Sequence, residues 1–257
     1  GVNLATLYEF WGPDRRAYTR VNVDGTRNVL TAAVEAGARK VVHVSTAAIW
    51  GNAPWPVNEA SPLGPRCASE YARTKRAGDE VAWELFRQAG LPLVMVFPAA
   101  VLGPDDPKSS GRYVANVVRG AMPAQVMTNR VFPWVHVRDV AAGIVRTLET
   151  DGNVGERYIL ASENLTFGQI NTIISEVAGV RLPRITFPDW LTLTGAFFAT
   201  GLANLTKKPP MLDMAMDQML IMRQGLQVDG GKAVRELGLT YTPIRKTLEE
   251  AVASLRC

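Results

Sequence analysis

K-V-V-H-V-S, residues 40–45, sets the architecture of this chain. Valines at 41, 42 and 44, with neither Gly nor Pro among them, describe a short strand buried on both faces, the pattern of a parallel sheet. Upstream, Asp14 to Ala36 carries apolar side chains at Val21, Val29, Leu30, Ala33 and Val34, a helical spacing that Gly37 stops. Downstream comes a Gly/Pro-rich loop, G-N-A-P-W-P-V-N-E-A-S-P-L-G-P, residues 51–65. A long helix follows from Ser69 to Gln88, closed by Gly90, and then a second strand, L-P-L-V-M-V-F at 91–97, which Pro98 ends. Helix, strand, helix, strand joined by short turns is the alternation of a doubly wound α/β sheet.

Further along, the pattern predicts a helix over 112–119, a strand in V-F-P-W-V-H-V leading to Asp139, and a helix over 140–148. R-Y-I-L-A at 157–161 reads as a strand and 167–178 as a helix, followed by the extended R-L-P-R-I-T-F-P. The tail from Met211 is helical, through D-G-G-K-A-V-R-E-L-G at 229–238 to a last helix after Pro243. Met211, Met214, Met216, Met219 and Met222 follow roughly helical spacing and are expected to serve as adaptable packing.

At 257 residues the chain buries one substantial core with room for a small second lobe. Its 47% hydrophobic content excludes a disordered protein, and the scattered net charge of +4, without a dense Lys/Arg run, argues against nucleic-acid binding. Cys67 and Cys257 fit no metal spacing and no disulfide framework, so a reducing, cytoplasmic setting is expected. Trp190 to Leu205 is apolar but short for a membrane span and broken by Gly195 and Gly201. It is read as an amphipathic or buried helix, with contact to a membrane surface as the minor alternative.

S-E-Y-A-R-T-K, residues 69–75, holds the candidate chemistry. Tyr71 and Lys75 are four apart, so on a helix they share a face one turn from each other. Such a pair is common on solvated helices, and position distinguishes this one. Thr46 ends a parallel strand, where open α/β sheets bind their ligands. Reduction of a carbonyl needs a proton donor at the oxygen. A phenol near its reference pKa of about 10 exchanges protons poorly at neutral pH, and an ammonium one turn away is expected to lower that value. Thr46 can hydrogen-bond the same oxygen, and Lys75 keeps donors to hold a ribose.

These residues, with V-N-L-A at 2–5, V-N-V-D-G-T-R-N-V-L at 21–30, V-H-V-S-T-A-A-I-W-G at 42–51, Y-A-R-T-K at 71–75, F-P-A-A-V-L-G-P at 97–104 and W-V-H-V-R-D-V-A at 134–141, resemble the extended short-chain dehydrogenase/reductase family. Within it, the resemblance is to the NAD-dependent epimerase/dehydratase and dihydroflavonol-reductase-like branch, over residues 1 to about 250. It implies a Rossmann-type, doubly wound parallel sheet with a small C-terminal substrate lobe. Residues 1–160 would belong mainly to the cofactor domain and 161–257 mainly to the substrate lobe. It further implies a Thr46/Tyr71/Lys75 triad, NAD or NADP as cofactor, and cofactor contacts from Leu4, Ala5, Tyr71, Lys75, Pro98, Ala99, Ala100 and Val101. A small-molecule substrate is the implied partner, and a homodimer is left open.

The pattern departs from the family's at several points. Asn3 stands where His is usual, Trp50 where Tyr is frequent, Phe97 where Arg is common and Arg138 where Asp is frequent. Trp50 and Arg138 are expected to reshape the substrate pocket. The family's opening strand, G-x-x-G-x-x-G and pyrophosphate-binding helix have no counterpart in this sequence. V-N-L-A matches the family's fourth strand, so about 70 preceding residues are expected to be missing, sheet strands among them. The chain by itself is then expected to be inactive, with no residue present to choose NAD over NADP.

Of the remaining candidates, His43 reads as structural and His136 as a hydrogen-bonded structural histidine in preference to a substrate contact. Asn22 is balanced between a cofactor-side role and helix packing. Arg112, Tyr113, Asn116, Arg130 and Trp134 lie where the family binds substrate, yet solvated or core roles are preferred for each. The expected function is a nicotinamide-dependent oxidoreductase interconverting carbonyl and alcohol. A sugar-nucleotide epimerase or dehydratase is the alternative, and a non-catalytic cofactor-binding protein the third reading.

Overall fold

The computed structural model describes residues 1–256, so Cys257 lies outside the described residues, and Cys67 is a free, half-buried thiol. The chain opens with β1 (Val2–Asn3), and a loop then leads to α1 (Arg16–Thr19). A π-helical stretch, Arg20–Gly25, carries the same helix on into α2 (Thr26–Glu35). Next come β2 (Val41–Val44), a 3-10 turn (Ala47–Trp50), α3 (Glu70–Ala89), β3 (Leu93–Pro98) and β4 (Ala100–Leu102). The middle of the chain holds α4 (Ser109–Val118), β5 (Gln125–Val126), β6 (Val131–His136), α5 (Val137–Glu149), β7 (Arg157–Leu160) and β8 (Glu163–Thr166). It ends with α6 (Phe167–Ala178), β9 (Thr186–Phe187), α7 (Asp189–Thr206), α8 (Met216–Gln224), α9 (Gly231–Leu237) and α10 (Ile244–Ser254).

β1, β2, β3 and β7 form one parallel sheet in that order, with Val42 opposite Val94 and Val96 opposite Tyr158. All six residues of β3 are buried, as the centre of a two-sided sheet requires. α2 packs on α3 and α5 on α9, and all four lie against the sheet. The doubly wound expectation from residues 40–45 therefore holds.

Two short strands not legible in the sequence, β4 and β8, flank β6 in a second sheet, β4 parallel to it and β8 antiparallel. The chain passes from the first sheet to the second at Pro98–Ala100, where the Ala99 amide still bonds to Leu160 O at 2.9 Å. Each sheet has its own core. Leu93, Val94, Val96, Tyr158 and Ile159 centre the first, joined by Leu226, Val228 and Leu237 from late in the chain. Leu102, Trp134, Phe167, Ile170, Met219, Met222 and Leu248 make the second. Met219 and Met222 thus do pack as expected, whereas Met211 is exposed.

α3 is well specified at both ends. Ser69 accepts the Ala72 amide at 3.1 Å as N-cap, and Gly90 closes the helix in the left-handed region at φ 68°. Asp217 from α8 also accepts the Glu70 amide at 2.8 Å, setting a carboxylate on the positive end of the helix. Partway along, Gly78 lets α3 approach the π-helical stretch so closely that a Cβ there would stand 2.3 Å from Asn22 O. Ala in this place must push the helices apart.

Candidate active site

The loop after β2, the first turns of α3 and the turn between β3 and β4 meet beyond the carboxyl ends of the parallel strands. They enclose a cleft of about 460 Å³. Thr46, Tyr71, Pro98, Ala99, Ala100 and Val101, all expected from the sequence, line it together. Lys75 sits one turn further along α3, buried beneath the cleft, and donates from Nζ to Val44 O at 2.9 Å. Leu4 and Ala5 lie outside the lining, on exposed chain just past β1, where Asn3 Oδ1 accepts the Ala5 amide at 3.2 Å.

Tyr71 is a buried residue and not a member of a solvated helix face. Burial holds its phenol well above the usual tyrosine range, and the neighbouring Tyr8 adds to this. The hydroxyls of Thr46 and Thr6 act in the opposite sense, while Asp79 raises it further. The expected lowering by Lys75 is not what this geometry does. The ammonium is turned to the β2 carbonyl, and burial lowers its own pKa against the opposing pull of Asp79. The phenol is consequently a protonated donor throughout the neutral range.

Under this pair lies a buried polar network. Asn3 Nδ2 donates to His43 Nδ1 at 3.1 Å, and His43 Nε2–H donates to Asp79 Oδ1 at 3.2 Å, a pairing that one neutral tautomer satisfies completely. Ser45 Oγ donates to the other Asp79 oxygen at 2.6 Å. Burial lowers the His43 pKa and keeps the ring neutral. His43 is structural, as its mid-strand place indicates. Asp79, one turn beyond Lys75, is the only residue touching both His43 and Ser45 from α3 among the described hydrogen bonds.

Asn22 resolves toward packing with a consequence for the cleft. Its Oδ1 accepts the Leu7 amide at 2.8 Å and the Thr6 hydroxyl at 3.1 Å, while Nδ2 donates to Thr74 Oγ1 at 3.0 Å. It thereby fastens the segment after β1 to α3 beside Tyr71. That segment brings Tyr8 and Phe10 edge-on to Tyr71, with ring centroids 5.0 and 6.3 Å away. Both line the cleft, and burial pushes the Tyr8 phenol up to about 12. Neither was singled out from the sequence, where the only signal is the aromatic run Y-E-F-W at 8–11.

Several other expectations are corrected. Trp50 is not a pocket residue: it is fully buried against Phe97, at 4.9 Å between ring centroids, and donates from Nε1 to Ser61 O. Arg138 points outward and pairs with Glu250 at 3.1 Å. The other candidates in the substrate region have partners within the protein. Arg112 pairs with Asp213, Tyr113 donates to Asn171 at 2.6 Å, Arg130 pairs with Asp189, and Trp134 donates to Leu165 O. His136 is buried between Glu250 and the Arg138 amide, the hydrogen-bonded structural role. Asn116 lines a separate small cavity near Tyr113 and Met219.

The donor set fits the nicotinamide end of a dinucleotide. Small side chains at Ala99 and Ala100 leave room over the strand ends, and Lys75 has ammonium protons beyond the one given to Val44.

Comparison with known proteins gives the family. Residues 3–161 match the family described as NAD dependent epimerase/dehydratase. The chain is 34% identical over 259 residues to a dihydroflavonol 4-reductase-like protein of Synechocystis sp., covering 97% of this chain and 74% of that one. It is also 34% identical over 256 residues to sterol demethylase protein B of Methylococcus capsulatus, covering 95% and 74%. The crystal structure of gox2253 superposes with a TM-score of 0.82 at 31% identity, covering 99% of this chain and 77% of that one. The chain is an enzyme of the NAD-dependent epimerase/dehydratase family, within the extended short-chain dehydrogenases/reductases.

Proposed function

We propose that the enzyme interconverts a largely apolar carbonyl compound and its alcohol, with Thr46, Tyr71 and Lys75 carrying the chemistry. The observation behind this is the setting of Tyr71, a protonated phenol facing an apolar cleft with the Thr46 hydroxyl at its side. Bound NAD(H) or NADP(H) supplies or accepts the hydride. Tyr71 gives its phenolic proton to the substrate oxygen in reduction and takes it back in oxidation. Thr46 hydrogen-bonds that oxygen while its charge changes. Lys75 offers its free ammonium protons to the cofactor ribose and, moved toward the phenol, favours the phenolate left after proton transfer. Pro98, Ala99, Ala100 and Val101, with Leu4 and Ala5, are the cofactor contacts in this reading. Residues 1–160 serve mainly the cofactor, and 161–257 supply most of the substrate lobe.

The lining supports this substrate class. Tyr8, Phe10, Phe132, Val137, Ile221 and Leu226 present apolar surface. Lys108 is the one cation among the described lining residues; it pairs with Glu9 at 2.8 Å, and Asp105 and Asp106 face the same space. A nucleotide diphosphate would meet two carboxylates and a lysine already engaged. The names of the two relatives, a dihydroflavonol reductase-like protein and a sterol demethylase protein, accord with an apolar substrate. A panel of apolar ketones and alcohols beside nucleotide sugars tests the proposal, with nicotinamide absorbance and product stereochemistry both followed. Net cofactor turnover with apolar compounds is expected. Epimerised nucleotide sugar without net cofactor change would establish the rival activity.

A further inference from the structure

α7 turns most of its large apolar side chains away from the protein, Leu193 alone packing against the second core. Thr192, Ala196 and Ala203, small residues, make its buried stripe, and Thr200 Oγ accepts the Met216 amide at 2.9 Å. Trp190, Phe197, Phe198, Leu202 and Leu205 stand on the opposite side, 68%, 64%, 68%, 53% and 83% exposed. At 100° per residue these five fall within one continuous outer face about 140° wide. The helix carries a single charged residue, Asp189, and its carboxylate is held by Arg130. Exposed Lys207 and Lys208 directly follow the helix, and exposed Arg184 and Arg181 precede it by five and eight positions, before β9. None of these four is among the described ion pairs.

We propose that this face docks on an anionic lipid surface, with α7 lying in the plane of the bilayer and its aromatic side chains in the headgroup boundary. An apolar helix face with cationic ends is what a negatively charged interface accommodates. No helix among the described residues is long and apolar enough to cross a membrane, and 18 residues extend only about 27 Å, so the helix lies on the surface and does not span it. A second copy of the chain suits the face less well. Both ends of α7 are basic, so two copies paired on it set Arg or Lys against Arg or Lys in either direction. Thr194 is the one polar residue within the outer face, and its hydroxyl is already given to Trp190 O at 2.8 Å. Trp11, in the segment that carries Tyr8 and Phe10, donates from Nε1 to Asn204 of α7 at 2.9 Å. Docking therefore brings the mouth of the cleft close to the lipid.

The test is flotation of the protein with vesicles of phosphatidylcholine alone and of phosphatidylcholine mixed with phosphatidylglycerol. The protein is expected to float with the mixed vesicles and to be released by salt. Lys207→Glu with Lys208→Glu should weaken binding by about fivefold or more for each lysine. Phe197→Ser with Leu205→Ser should abolish it while leaving thermal unfolding unchanged, since both side chains are already exposed. Should the serine variant fail to fold, the lysine variant and the salt dependence of the wild type decide. Failure of the wild type to float, equal binding to both vesicles, or binding unmoved by either variant overturns the proposal. So does a solution dimer that the serine variant converts to monomer in the absence of flotation. Activity enters none of these readouts, so they stand apart from the substrate assignment.

Discussion

Lys75 Nζ reaches back 2.9 Å to the carbonyl of Val44, one turn behind Tyr71, so the helix ties its lysine to the strand that delivers Thr46. The strand end and the first turns of α3 are in this way one mechanical unit.

Tyr71→Phe removes only the phenolic oxygen and its proton, leaving the ring stack with Tyr8 and Phe10 in place. In the full-length protein, turnover is expected to fall by about 10² to 10⁴-fold, the usual contribution of a placed general acid. Cofactor affinity, measured by calorimetry, should stay close to wild type. Wild-type turnover in this variant would remove Tyr71 from the mechanism.

Lys75→Met keeps the length of the side chain and removes its charge and donors. Because the lysine has both a cofactor and a phenolate task in the proposed chemistry, NAD affinity and turnover should both fall. Loss of the contact to the part-buried Val44 carbonyl is offset by removal of a buried ammonium, so stability should change by no more than about 1 kcal/mol. Unchanged affinity together with unchanged rate would contradict the assignment.

Gly78→Ala places a methyl where only 2.3 Å separates it from Asn22 O. The cost should be about 1 to 3 kcal/mol in urea unfolding, typical of overpacking between elements that cannot part. Turnover should fall as well, because Asn22 holds the segment bearing Tyr8 against α3. A variant as stable and as active as wild type would show that the two helices yield freely.

The neutral His43 predicts a pH dependence of stability. Unfolded, the imidazole takes up a proton near its ordinary value of 6.5; folded, burial holds its pKa lower. Between these two values the unfolded state binds more protons, so this contribution is fully present above 6.5 and is lost as pH falls below it. The slope from this group is at most about 1.4 kcal/mol per pH unit. Denaturant unfolding at a series of pH values from neutral downward measures it, and His43→Gln should flatten the curve in that window. An identical slope in the variant would assign the dependence elsewhere.

The alternation of helices and buried strands, the termini of α3 and the co-location of Thr46, Tyr71 and Pro98–Val101 could all be read along the chain. The elements and the ends of α3 rest on local chemistry: β-branched runs, a serine cap and a glycine stop. Thr46 beside Tyr71 rests on the rule that parallel strands open their carboxyl ends to ligands, and Pro98–Val101 came from the family resemblance alone. The strands β4 and β8 were invisible because three or four residues carry no usable period, and their partners are supplied only by folding. Trp50 illustrates the same limit at a side chain. Its type suggested a pocket wall, but its ring is taken up by Phe97 and by Ser61 O, groups 47 and 11 positions away. The electrostatics of Tyr71 and Lys75 likewise depended on the tertiary structure. Spacing sets the lysine one turn from the tyrosine, but burial raises the phenol, and the carbonyl of Val44, distant in sequence, decides where the ammonium points. The apolar composition of α7 was plain in the sequence. Which of its faces meets solvent was decided by packing, because Thr192, Leu193, Ala196 and Ala203 fit against the protein while Trp190, Phe197, Phe198, Leu202 and Leu205 do not.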